Sequence, residues 1–179
     1  PLAAYARKQA EFQQVTRINL LTDALPRALE LGAVPEHNVC FVVYQWIEGE
    51  AAAESLPRLP AAEQYAHGRT AGQILRQIHA LPQTKRVDSH AAIVQKVAVR
   101  RREMREHGLE FAGYETMVAY LEAHLDLLVD APTVFLHDDF HLGNMLIDPS
   151  GGPRVIDLNR SNFGDPAEGL KRLSTVSRQ

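Results

Sequence analysis

The sequence predicts an α+β domain. Three observations carry that expectation: a β-branched and aromatic run at residues 39–47 (VCFVVYQWI), a middle third whose apolar residues recur with helical spacing, and a switch after residue 133 to short apolar runs separated by polar loops. With 179 residues, 45% of them hydrophobic and 23% charged, the chain has a globular composition and enough length to bury a core.

Taken in order, residues 3–20 read as a helix rich in Ala, Gln and charged side chains, with Phe12 and Val15 turned inward. Residues 27–32 read as a short strand ending at Gly32. The run 39–47 carries the strongest strand signal of the chain, and Glu48-Gly49-Glu50 break it. Cys40 sits inside that run and reads as a buried structural thiol, with Trp46 as a core or cleft-wall aromatic. After Pro60 the pattern is helical: Ala71, Ile74, Leu75 and Ile78 follow i, i+3, i+4, i+7 spacing and share a face, and Pro82 stops the helix. A third helix is expected over 89–107. A fourth is expected over 113–129, burying Tyr114, Met117, Val118, Leu121, Leu125 and Leu128. Then Val134-Phe135-Leu136, Met145-Leu146-Ile147 and Val155-Ile156 read as strands, the last two joined as a hairpin by Ser150-Gly151-Gly152-Pro153. Asp165, Pro166 and Glu168 stand where an N-cap, N1 and N3 would start a further helix.

The formal net charge of −3 disfavours nucleic acid or an anionic membrane as partner. The basic cluster of Lys96, Arg100, Arg101, Arg102 and Arg105 reads as a solvated helix face. A single cysteine excludes an internal disulfide and fits a reducing cytoplasm. No apolar run approaches the ~20 residues that span a bilayer.

The chemistry concentrates in His137-Asp138-Asp139-Phe140-His141-Leu142-Gly143-Asn144, between two apolar strands, and in Ile156-Asp157 across the hairpin. An Asp and an Asn five residues apart on one loop can point at a common centre, and an Asp on the next turn can join them. Phosphoryl transfer needs such a set. The dense charge of the transferred group calls for Mg²⁺, which takes hard oxygen ligands and keeps several waters, so one carboxylate and one amide oxygen suffice. A further carboxylate must meet the acceptor hydroxyl. Two other readings stand beside this one: turn-capping side chains in ordinary loops, and a zinc or iron site built from His137, Asp138, Asp139 and His141 for a metal-dependent hydrolase.

The segment FLHDDFHLGNMLID…GPRVIDLNRSNFGDPAEGL resembles the signature of the aminoglycoside phosphotransferases and their choline-kinase-like relatives, whose fold is protein-kinase-like. The resemblance implies a phosphotransferase that moves the γ-phosphoryl of ATP or GTP to a hydroxyl of a small molecule, such as an aminoglycoside-type antibiotic or a similar cationic or sugar metabolite. It implies Asp139 as the catalytic or orienting carboxylate, Asn144 and Asp157 as Mg²⁺ ligands, and His137 as a brace of the loop. Residues 44–50 look like the hinge, so the backbone of Gln45 and Ile47 would meet adenine. Glu11 occupies the place of the glutamate that pairs with the phosphate-binding lysine. On this reading residues 1–47 are a partial N-lobe and residues 48–179 a C-lobe truncated at its C-terminus.

The sequence departs from the pattern in three places. No Gly-rich strand-turn-strand and no strand lysine precede Glu11, and Lys8 belongs to the same helix. Asp138 stands where the family usually has Gly. These departures motivate the alternative of a catalytically silent, kinase-like remnant acting as a binding module. Glu48, Glu50 and Glu168 are candidates for drawing in a cationic substrate.

Overall fold

The computed structural model describes residues 1–171 and has the expected α+β organisation. Helix α1 (Tyr5–Ile18), entered through a 3-10 turn at Leu2–Ala4, buries Glu11, Val15 and Ile18, while Phe12 is half-buried. The chain then passes through buried Ala24 and Leu25 into β1 (Ala28–Val34), which pairs antiparallel with β2 (Val39–Tyr44). β1 runs two residues past Gly32. The Phe41 ring, directly across the ribbon, lies over Gly32 in the space a Cβ would need, so the glycine supports the pairing there.

Two expectations in this ribbon are corrected. β2 ends at Tyr44, and Trp46 is 80% exposed, with Nε1–H donated to Glu48 at 2.9 Å. Past the strand end the indole turns to solvent. Cys40 is half-buried, with Sγ 3.2 Å from the Pro1 carbonyl. α1 packs on β1 and β2, whereas Leu29, Val39 and Val43 are exposed, so the ribbon has one well-covered face.

Beyond the ribbon come β3 (Glu50–Ala51), α2 (Ala52–Ser55) and α3 (Ala61–His79). The predicted face of α3 is buried at all four positions. α4 (Ser89–Glu106) starts on an Asp88 N-cap, whose carboxylate accepts from the Ala91 amide at 2.9 Å. α5 (Tyr114–Ala123) is shorter than expected and buries Val118; Met117 and Leu121 face outward. The helix gives way to a 3-10 turn at Leu125–Leu128, whose tighter winding half-buries Leu125 and Leu128 as the turn packs on α4. The basic side chains of α4 are largely engaged with acids: Arg100 with Glu103, Arg101 with Glu122 and Glu115, Arg102 with Glu106.

The remaining strands are β4 (Val134–Leu136), β5 (Met145–Ile147), β6 (Pro153–Val155) and β7 (Asn162–Gly164). They form a β3-β5-β6 sheet and a β4-β7 pair, all antiparallel. The β5-β6 hairpin is the one expected. Asp148 clamps its turn, accepting from Ser150 and from the Gly152 amide and meeting Arg154 at 2.7 Å; these contacts, the Ser150 hydroxyl foremost, hold its carboxyl far below the usual range. Asp165 caps the last described turn, Pro166–Leu170, by accepting from the Ala167 amide at 3.0 Å. The rest of the helix expected there lies outside the described residues.

One core joins these parts: Ile18 of α1, Leu25, Ile78 of α3, Phe135 of β4, Phe140 of the following loop and Val155 of β6 are each at most 2% exposed. Burying each contributes roughly 1.5–3 kcal/mol relative to leaving it in water. This core fixes where the loops after β4 and β6 emerge. Among the described residues no helix is long and apolar enough to cross a membrane.

Candidate active site

The loop after β4 is organised around a buried imidazole. His137 is 0% exposed; its Nε2–H donates to the Ile156 carbonyl at 2.9 Å and its Nδ1 accepts from the Asp139 amide at 3.3 Å. These bonds are those of the neutral ring protonated at Nε2. Burial holds its pKa below the ordinary value, against the pull of the Ile156 hydrogen bond and of the nearby Asp139 and Asp157 charges.

Asp138 has φ +58°, the left-handed region. Glycine has no steric cost there and Asp a tolerable one, so the backbone at this position admits an Asp where the resemblance leads one to expect Gly. Its carboxylate ties the loop to two later segments: Asn162 donates to Oδ2 at 3.0 Å and Lys171 Nζ lies 2.5 Å from Oδ1. The Asp139 carboxylate, about 14% exposed, has His141 Nε2 3.5 Å from Oδ1 and Arg160 Nε 3.7 Å from Oδ2.

Asn144 closes the loop. Its Nδ2 donates to the Asp139 carbonyl at 2.9 Å, which leaves Oδ1 as the acceptor end of the amide. Its own carbonyl accepts from the Ile156 amide at 3.0 Å. Ile156 is therefore gripped at its N–H by Asn144 and at its C=O by His137, and the next residue is Asp157, turned out by φ +66°. Asp139, Asn144 and Asp157 thus emerge from two loops joined by one backbone hydrogen bond, from Ile156 to Asn144, and one from the His137 ring.

Asp157 opens on a cavity of about 310 Å³ lined also by Lys8, Glu11, Val15, Tyr44 and Ile156. Glu11, 8% exposed, is held from two sides: Lys8 Nζ meets Oε2 at 2.8 Å and the Tyr44 hydroxyl donates to Oε1 at 2.7 Å. Burial, and then that bond to Glu11, push the Tyr44 hydroxyl above its ordinary range. Gln45 and Ile47 line a different cavity, of about 330 Å³, beside Arg27 and Arg154. The Gln45 amide is committed to the Arg27 carbonyl at 2.9 Å. A larger cavity, about 640 Å³, lies between α2, α3 and β5 and contains none of the predicted residues. Glu50 pairs with Arg58 and Glu48 with Trp46, so neither stands free for a cation.

Tyr44 as a partner of Glu11 and Arg160 as a partner of Asp139 have no local sequence signal, each contact being made through space by the fold, whereas His141 stands two residues from Asp139 in the same loop.

The donor set suits Mg²⁺. Asp157, which opens on the 310 Å³ cavity, and the oriented Oδ1 of Asn144, on the loop bonded to Ile156, are hard oxygen donors of the kind Mg²⁺ takes along with waters and phosphate oxygens. Among the described residues no three His, Cys, Asp or Glu side chains converge to hold a metal, as a zinc or iron site would require.

The model of the phosphotransferase enzyme family, APH, matches residues 1–174. The chain belongs to this family. Solved structures with the same protein-kinase-like fold include the gentamicin complex of APH(2'')-IIa, with a TM-score of 0.67 and 16% identity over 95% of this chain and 60% of that one. Another is aminoglycoside phosphotransferase APH(3'')-Id from Streptomyces rimosus with ADP and streptomycin, with a TM-score of 0.65 and 22% identity over 99% of this chain and 69% of that one. A third is ADP-bound APH(2'')-Ib, with a TM-score of 0.66 and 16% identity over 94% of this chain and 59% of that one. The chain therefore spans 59% to 69% of the length of these family structures. A comparison with curated proteins gives no match. At such identities the likeness to the solved structures is a likeness of fold.

Proposed function

We propose that this chain carries the nucleotide and phosphoryl-transfer core of a kinase that moves the γ-phosphoryl of ATP or GTP to a hydroxyl of a small molecule. The observation that carries the reading is the double grip on Ile156 by Asn144 and His137, which brings Asp157 up to the loop bearing Asp139 and Asn144. In this reading the acceptor oxygen attacks the γ-phosphorus, the bond to the β,γ-bridging oxygen breaks, and ADP or GDP leaves. Asp139 orients the acceptor hydroxyl and takes its proton. Asn144 and Asp157 would hold Mg²⁺, which when bound neutralises phosphate charge. His137 braces the loop. The Gln45 carbonyl and Ile47 amide meet the base, and Glu11 stands at the phosphate end of the cleft. Residues 1–47 contribute part of an N-lobe and residues 48–179 the C-lobe.

The solved family structures bound to ADP, GDP, gentamicin and streptomycin support a nucleotide and an amino-sugar acceptor as the first ligands to try. One observation favours a second reading, a binding module without turnover: Glu11 is occupied by Lys8 of its own helix and by Tyr44.

The test is the thermal midpoint of the protein with and without Mg·ATP or Mg·GTP, beside Asp157→Asn, followed by transfer assays on gentamicin and streptomycin. A Mg-dependent rise lost in the variant, with label transferred to an acceptor, is the expected result. A rise without transfer selects the binding module, and no rise with either nucleotide overturns the kinase reading.

A further inference from the structure

The proposed mechanism gives no task to two polar side chains of the 137–144 loop: Asp138, which ties the loop to Asn162 and Lys171, and His141, whose ring is bonded at Nδ1 and faces Asp139 at Nε2. Nδ1 accepts the Gly143 amide at 3.0 Å, capping the 3-10 turn Leu142–Asn144. A nitrogen that accepts an N–H carries no proton, so the neutral ring bears its hydrogen on Nε2. That nitrogen lies 3.5 Å from Asp139 Oδ1. Asn144 Nδ2 is also 3.5 Å from Nε2; one of its two hydrogens goes to the Asp139 carbonyl at 2.9 Å, and with the ring proton on Nε2 the other finds no acceptor there, so this approach is a contact between two donors and not a hydrogen bond.

Gly143 is a second, independent sign that the ring belongs there. A Cβ at position 143 would stand 2.9 Å from His141 Cε1 and 3.0 Å from Nδ1, so the close approach of the ring requires a residue without a side chain. The Asp139 carboxylate is thereby flanked by a ring N–H toward Oδ1 and by the Arg160 guanidinium toward Oδ2. At 3.5 Å the ring contact is long, as such contacts often are before substrate is bound.

We infer that His141 is a positioning residue: pinned at Nδ1 by the Gly143 amide, its neutral ring directs Nε2–H at Asp139 Oδ1 and sets the direction in which that carboxylate meets an acceptor hydroxyl. The inference rests on the kinase reading for its consequence, though not for its geometry. It requires the ring both to cap the turn and to reach the carboxylate, and two substitutions separate these tasks. His141→Asn keeps an acceptor near Nδ1 and loses the reach to Asp139. His141→Gln places an amide N–H near the position of Nε2 and loses the cap.

The experiment has two arms on the full-length protein. In the first, imidazole ¹⁵N–¹H spectra identify the tautomer without any turnover. The expected result is an unprotonated Nδ1 and a protonated Nε2 on His141, with the Nε2–H signal displaced by Asp139→Asn. A proton on Nδ1, or an Nε2–H signal indifferent to Asp139→Asn, overturns the inference. In the second, transfer from Mg·ATP to gentamicin and streptomycin is measured. His141→Asn is expected to lower kcat about tenfold with the KM for ATP within about twofold, and His141→Gln to recover most of the loss. A wild-type kcat in His141→Asn overturns the inference. If the wild-type protein transfers to neither acceptor, the kinase reading is what has failed to find support, and the spectra alone decide the His141–Asp139 pairing.

Discussion

His137 and Ile156 are joined by a 2.9 Å hydrogen bond from a fully buried imidazole to a backbone carbonyl, and through it the loop after β4 holds the turn after β6. His137→Ala removes the donor, strands a carbonyl and leaves a cavity beside Phe140, whose ring meets the imidazole edge-on at 5.8 Å. The expected loss is about 3 kcal/mol in urea denaturation. The same variant should lose the Mg·nucleotide shift even at temperatures where it remains folded, because Asp157 is no longer anchored. A variant as stable as the wild type would show that the bond is incidental.

Stability should fall as the solution is acidified below about pH 6.5, the ordinary histidine pKa. Burial holds both His137 and His79 below that value in the folded protein. The unfolded chain therefore binds protons that the folded chain refuses, so stability is fully present above pH 6.5 and is lost as the pH drops toward the lowered folded pKa values. Asp139 and Asp157 favour the charged form of His137 and soften the slope. His79, whose Nε2 lies close to Gly169, has no such compensation among the causes of its shift. Denaturation midpoints across this range, for wild type and His79→Gln, measure the effect. The variant should show a shallower decline, and a wild type that grows more stable on acidification contradicts the desolvation of the buried His137 and the part-buried His79.

The parts of this fold that could be read from sequence are those whose signal is local. The α3 face is periodic, so Ala71, Ile74, Leu75 and Ile78 announce their burial. Asp139, Asn144 and Asp157 stand at fixed offsets from strand ends, so their loops could be placed and the family resemblance seen. β7 could not be anticipated: Asn162-Phe163-Gly164 has little strand character and pairs because β4 presents Phe135 to Phe163, their rings edge-on at 5.4 Å. The outward face of α5 was equally opaque, since periodicity marks an apolar stripe and says nothing of what covers it. Tyr44 meets Glu11 across 33 residues, a contact that only the packing of α1 on β2 creates.

Asp157 separates a structural role from a metal-binding one. Its φ of +66° costs a non-glycine residue about 1 kcal/mol, so a purely structural aspartate there would be replaceable by glycine at a gain. Asp157→Gly should leave the protein as stable as wild type or up to about 1 kcal/mol more stable. It should nonetheless abolish the Mg-dependent part of any nucleotide shift, as should Asp157→Asn. Thermal melts of both variants, with and without Mg·ATP, give the comparison. Retention of the Mg-dependent shift in Asp157→Gly would remove Asp157 from the ligand set.

Tyr44 and Glu11 should be coupled, and the sign of the coupling tells what Glu11 is for. The Tyr44 hydroxyl donates to Oε1 while Lys8 occupies Oε2, so Tyr44→Phe removes one of the two groups that hold a carboxylate 8% exposed. The expected cost is about 1–2 kcal/mol, since the bond is to a charged acceptor and its loss strips that acceptor of a donor. Glu11→Gln should cost less in the Tyr44→Phe background than alone, because the shared hydrogen bond can be lost only once. Melts with Mg·ATP carry the functional half of the test. If Glu11 serves the phosphate end of the cleft, Tyr44→Phe leaves the carboxylate freer to turn toward a ligand, and the nucleotide shift should persist or grow even as the apo protein weakens. If Glu11 is only a strut between α1 and β2, stability and nucleotide shift should fall together.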